Sequence, residues 1–184
     1  MIRKLKRTED INVPWLLSLV IDTSQPDFIT KYDSVLKQGK ELGIYTYFLY
    51  TKDDPAEILP LIQNNPDCAI ILLCDPSRIT EELAEKSEAL NNVLFAVKYD
   101  DQAEAACLVL RESASFWTNL GAVTKSLCKS MADEILAGTY FRFAEEMHCP
   151  FAAVFSNVDC SIEPRHAIYQ KITEDRSAQR YRTI

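Results

Sequence analysis

The sequence predicts an α/β domain of three layers, with a mainly parallel sheet of at least five strands. Three observations carry that expectation. Short apolar runs are continuous rather than alternating, as in strands covered on both faces. Helical patterns separate them, and the two recur at intervals of roughly 25 residues, the rhythm of right-handed βαβ units. A partial β/α barrel is the architectural alternative, because the same alternation suits a curved sheet as well as an open one. At 184 residues the chain suits a single domain, 1–184.

The chain opens with a basic arm, residues 1–10 (MIRKLKRTED), followed by an apolar run. This imitates a secretion signal, but Glu9 and Asp10 interrupt it and Asp22 follows without a small-residue cleavage site. The first strand is read at Trp15–Ile21. Residues 27–42 set Phe28, Ile29, Tyr32, Val35, Leu36 and Leu42 at helical spacing, and Gly43 supplies a stop. The second strand is Ile44–Tyr50, whose terminal Tyr50 is placed to face a ligand. A helix follows over 55–65, with Asp53-Asp54 as a cap, Pro55 in the first turn and Pro66 beyond its end. Cys68–Leu73 reads as the third strand, 77–90 as a helix starting at Ser77, and Val93–Val97 as the fourth strand. The stretch of about 102–147 reads as a helical insert, from Ala106, Leu110, Ala114, Trp117, Leu120, Leu127, Met131 and Ile135 on one stripe, with a strand at Phe116–Val123 as the rival. Phe151–Phe155 is the last strand, and a terminal helix is expected over about 164–184.

Charge is uneven. The formal net charge is −7, but residues 1–7 carry +4, 165–184 carry +3 and the body between them carries −14. An acidic body argues against nucleic acid across the main face, because phosphate contacts need a basic footprint. No run approaches the ~20 apolar residues of a membrane span. The chain holds four glycines where average usage of about 7% gives about 13. None forms G-x-G-x-x-G or G-x-x-x-x-G-K-[ST], which excludes the dinucleotide fingerprint and the P-loop. Six cysteines stand without C-x-x-C spacing. A chain of this size builds a core without disulfide staples, so reduced thiols and a cytoplasmic location are expected.

In open α/β sheets ligands bind beyond the carboxyl ends of the strands. Here each of those ends is acid-bearing: Asp22-Thr23-Ser24 after the first strand, Asp53-Asp54 after the second, Cys74-Asp75-Pro76-Ser77-Arg78 after the third, Asp100-Asp101 after the fourth and Asp159 after the last. The candidate ligand contacts are Asp22, Thr23, Ser24, Cys74, Asp75, Ser77, Arg78, Asp100 and Asp159. Ser77 with the Arg78 guanidinium suits a phosphate or carboxylate without glycine. Helix capping is the plain structural explanation for Asp and Ser at such junctions. Known chemistries that use these residues need spacings the chain lacks. Ser24 stands where a D-x-D phosphatase needs its second Asp, Cys74 and Arg78 are C-x₃-R rather than C-x₅-R, and no G-x-S-x-G elbow occurs. Cys160 and His166 offer a thiolate–imidazole pair in the loop after the last strand, against the plain reading of a loop cysteine and a surface histidine near a helix start.

The leading functional expectation is a binding or regulatory domain for a small polar or anionic ligand at the carboxyl edge of the sheet. The alternative is a divalent-metal phosphoester hydrolase, with Asp22, Asp75 and Asp100 holding Mg²⁺, whose hard charge suits carboxylate oxygens. A third reading is a protein-interaction module using the basic tails.

Overall fold

The structure, a computed structural model, describes residues 14–112, 120–127, 132–156 and 161–177. It is an α/β chain with a parallel sheet flanked by helices. The apolar runs become β1 (Leu16–Ile21), β2 (Thr46–Thr51), β3 (Ala69–Cys74) and β4 (Val93–Lys98), paired in that order and all parallel. Backbone pairing continues in parallel from β4 to β5 (Leu120–Leu127), across an irregularity at Phe95/Ala96, and from β5 to β6 (Phe151–Ser156).

Helices connect the strands. Phe28–Leu42 forms α1, ended by Gly43 in the left-handed conformation at φ 88, a geometry that glycine adopts at little cost. A 3₁₀ turn at Pro55–Ile58 is capped by Asp54, whose carboxylate accepts from Ala56 N–H at 2.8 Å, and runs into α2 (Leu59–Gln63). The helix expected to begin at Ser77 instead begins later. Ser77 lies in a 3₁₀ turn at Pro76–Arg78, and α3 (Glu81–Ser87) is capped by Thr80, which accepts from Leu83 N–H at 3.2 Å. Thr80 wins because Ile79 leaves the turn extended, so no continuous helical path leads out of it. The remaining helices are α4 (Ala103–Glu112), α5 (Ala132–Leu136), α6 (Thr139–Glu146) and α7 (Ile162–Ser177).

The expected helical insert over about 102–147 is corrected. Its two ends are helical, but residues 120–127 form β5. The segment Gly121-Ala122-Val123-Thr124 carries a glycine and two β-branched residues, poor helix formers that a parallel neighbour on each side rewards in a strand. The rival strand reading at Phe116–Val123 overlaps β5 at 120–123 only; residues 113–119 lie outside the described residues.

The three-layer expectation is corrected as well. The strands follow one another across the sheet in sequence order, with no reversal, and because such parallel crossovers are right-handed as a rule, this order puts the connecting helices on one face. Burial follows. Tyr47, Leu49, Ile70, Leu72, Phe95 and Val97, on the helix-covered face, are all 0–1% exposed. On the other face Val20 is 66% exposed, Leu94 40%, Phe151 37% and Phe155 41%. That face also folds toward itself. Phe48 on β2 and Phe155 on β6 meet edge to face with ring centroids 5.8 Å apart. Four strand spacings across a flat sheet would separate β2 from β6 by roughly 19 Å, so the sheet is curled about this inner face. Among the described residues no helix is long and apolar enough to cross a membrane.

Candidate functional site

Parallel pairing brings the carboxyl ends of β1–β4 to one rim, where the junctions carrying Asp22, Asp53, Asp75 and Asp100 lie. At the end of β1 the Tyr32 hydroxyl donates to Val20 C=O at 2.9 Å and accepts from Asp22 N–H at 3.2 Å, which pins the strand end to α1. Asp22 is exposed, and its Oδ1 accepts from Ser24 Oγ at 2.6 Å and Ser24 N–H at 3.1 Å. The Ser24 hydroxyl and amide hold its carboxyl below the ordinary 3.8. Thr23 Oγ1 donates to Asp53 Oδ2 at 3.0 Å and so ties the β1 and β2 loops together. Asp100 is exposed and accepts from Gln102 N–H at 2.8 Å. Asp22, Asp54 and Asp100 thus each satisfy a local backbone N–H, which is the capping role.

Asp75 is different. Its carboxylate receives two side chains from neighbouring strands. Lys98 Nζ, at the end of β4, lies 2.6 Å from Oδ1, and the Tyr50 hydroxyl, on β2, donates to Oδ2 at 3.2 Å. Lys98 Nζ also donates to the Tyr50 hydroxyl at 3.3 Å and sits 4.5 Å from the centre of its ring. The three groups close a cycle spanning β2, β3 and β4. Lys98 and Asp75 each expose 35% of their side chains, so the pair is reachable from solvent. Burial pulls the Lys98 ammonium down, but the hydrogen bonds to Asp75 and Tyr50 outweigh it and raise its pKa above the ordinary 10.5. A pair this exposed contributes no more than about 1 kcal/mol to stability, and the ring contact about 0.5–1 kcal/mol. Its consequence is positional: a flexible lysine is held as a charged, oriented donor.

Strand register sets what lies beneath. Tyr50 shares a row of the inner face with Val20, Leu73 and Ala96. The cycle therefore stands at the mouth of a partly exposed apolar face, with Phe48 and Phe155 meeting across it.

The other expected contacts divide. Ser77 and Arg78 are exposed on the turn after Asp75. Cys74 is 2% exposed, shares the helix-covered side of β3 with Ile70 and Leu72, and burial drives its thiol far above the ordinary range. It packs as core rather than rim. Asp159, Cys160 and the basic arm 1–10 fall outside the described residues. Among the described residues no three His, Cys, Asp or Glu side chains are grouped to hold a metal ion. Asp22, Asp75 and Asp100 are therefore not gathered, and Asp75 already faces an ammonium. Lys98 went unread at the sequence level. Its signal was a cation closing the apolar run Val93–Val97, the place where a strand delivers a side chain to the rim.

The chain matches no known family model and no curated protein.

Proposed function

We propose that this chain is a binding or regulatory domain for a small ligand with a polar or singly anionic head and an apolar body, seated at the carboxyl mouth of a partial β/α barrel. The observation that carries the reading is the Lys98–Asp75–Tyr50 cycle standing over exposed apolar surface. Among the described residues, two of the three Lys98 ammonium donors are spent on Asp75 and Tyr50, which leaves one for a ligand oxygen. The apolar inner face offers the rest of the molecule a dry surface, the usual composition of a small-molecule site. A singly charged head fits better than a multiply charged one, because Asp53, Asp75 and Asp100 share the rim. The reading includes a reducing, cytoplasmic setting, which suits the free thiols of Cys68, Cys74, Cys107 and Cys149.

The test is thermal unfolding in the presence of a chelator, with phenylacetate, acetate, inorganic phosphate and glucose as probes. Phenylacetate at ten times its Kd stabilises by about 1.4 kcal/mol, a rise in Tm of roughly 4 °C for a chain of this length. Lys98→Met abolishes that rise. An equal rise in Lys98→Met contradicts the proposal, as does a set of probes that act only when Mg²⁺ is supplied and fail in Asp22→Asn; that second pattern would restore the metal hydrolase.

A further inference from the structure

Among the described residues β1 pairs with β2 alone and so forms one outer edge of the sheet. An edge strand presents a row of open N–H and C=O groups, and natural sheets blunt such edges with charge, proline or a bulge. β1 has none of these. Leu16-Leu17-Ser18-Leu19-Val20-Ile21 carries no charge and no proline, and its register with β2 runs without a shift. Apolar side chains stand out along it: Trp15, just before the strand, is 74% exposed, and Val20 is 66% exposed. The Tyr32 hydroxyl engages the carboxyl end of the strand, at Val20 and Asp22. Ser18, at its middle, is exposed.

We propose that β1 pairs antiparallel with β1 of a second copy of this chain, joining two sheets into one about a twofold axis near Ser18. The pairing is independent of any ligand at the Lys98 rim. Two observations choose this occupant. A twofold contact must be complementary to itself, and an uncharged apolar strand meets its own copy without like-charge repulsion. Charge at the two ends then sets the direction. The loops beside the carboxyl end of β1, residues 22–27 and 52–54, carry Asp22, Asp27, Asp53 and Asp54 against Lys52. The amino end is joined to residues 1–13, which carry Arg3, Lys4, Lys6 and Arg7 against Glu9 and Asp10. Antiparallel pairing lays the amino end of each β1 beside the carboxyl end of the other, so basic sequence meets acidic loops twice. Parallel pairing of β1 with β6, the other outer strand, lays amino end beside amino end and forgoes that attraction. It is also a head-to-tail contact, which adds copies in series rather than closing at two.

The test is sedimentation velocity on the full chain. The wild type is expected at twice the chain mass. Ser18→Lys sets two ammonium groups against each other across the axis, and Ser18→Glu sets two carboxylates; like charges facing each other across an antiparallel pair repel. Each variant alone is expected to sediment as a monomer. An equal mixture of the two is expected to recover the dimer, because one copy of each pairs lysine with glutamate. Circular dichroism checks that the variants fold. If one does not, amide exchange of the wild type replaces it: protection across Leu16–Ile21 is expected to rise with chain concentration, and no rise there overturns the proposal. A wild-type monomer, a series of larger assemblies, a folded variant that stays dimeric alone, or a mixture that stays monomeric also overturns it.

Discussion

Gly39 sits in the interior of α1, where glycine costs about 1 kcal/mol relative to alanine. The structure gives the reason. A methyl group built on Gly39 would drive into the hydroxyl of Tyr47 and come within 3.1 Å of its Cζ. Tyr47 is 0% exposed, and its hydroxyl donates toward Ile44 C=O at 2.9 Å and Leu36 C=O at 3.1 Å. Gly39→Ala therefore forces the ring to shift by on the order of 1 Å in a packed interior. Overpacking costs about 1–3 kcal/mol, and the lost hydroxyl bonds about 1–2 kcal/mol more. The better helix former returns about 1 kcal/mol, leaving a net destabilisation of about 1–4 kcal/mol. Tyr47→Phe alone costs about 1–2 kcal/mol for the lost hydroxyl bonds. In that background the obstructing oxygen is gone, and Gly39→Ala becomes nearly neutral. Urea unfolding of the two single variants and the double variant measures this coupling, with an unchanged m-value as the two-state check. Additive costs, or a Gly39→Ala that stabilises the wild type, would refute the reasoning.

Three other expectations follow from named contacts. Asn92→Ala is expected to cost about 2–3 kcal/mol in the same assay, because its amide ties the approach to β3 by donating to Asn65 C=O at 2.9 Å and Cys68 C=O at 3.1 Å; a loss under about 0.5 kcal/mol, the range of an ordinary surface change, would contradict it. His148→Gly is expected to stabilise by about 0.5–1 kcal/mol by relieving the left-handed strain, and a destabilised variant would show that the histidine side chain matters more than its backbone. Stability should hold across neutral pH and fall at both extremes. The Lys37 ammonium holds Asp33 below its ordinary 3.8, as Lys40 does Asp67, so their contribution is present above that value and drains away as pH drops through the lower folded values. Burial pushes Tyr47 up to about 12 from 10.0, and Asp67 raises Lys40, so the alkaline loss begins near pH 10 and deepens as pH rises. Urea midpoints across pH that improve toward acid would contradict the assignment.

Strand positions were legible because β1–β4 and β6 coincide with apolar runs that no helix stripe explains. β5 showed only as the rival strand reading at Phe116–Val123, since its backbone pairing on both sides, not its apolar content, makes it a strand. The one-sided layering was hidden for a related reason. Continuous apolar runs implied cover on both faces, but Val20, Leu94 and Phe155 are apolar and still partly exposed, on a face that the curl turns toward itself. The acid-rich rim was visible at Asp22, Asp75 and Asp100, yet most of those groups cap local backbone. The Lys98–Asp75–Tyr50 cycle needs three strands in register, and no single segment of sequence shows it.

The proposed site depends on the inner face curling until β2 approaches β6. A nuclear Overhauser spectrum of the chain with only its phenylalanines protonated, assigned by Phe48→Leu and Phe155→Leu, reads that approach. Ring-to-ring cross-peaks between Phe48 and Phe155, matching the 5.8 Å centroid separation, are the expected result. Their absence, with both rings otherwise ordered, would mean an open sheet and leave the mouth over Lys98 unformed.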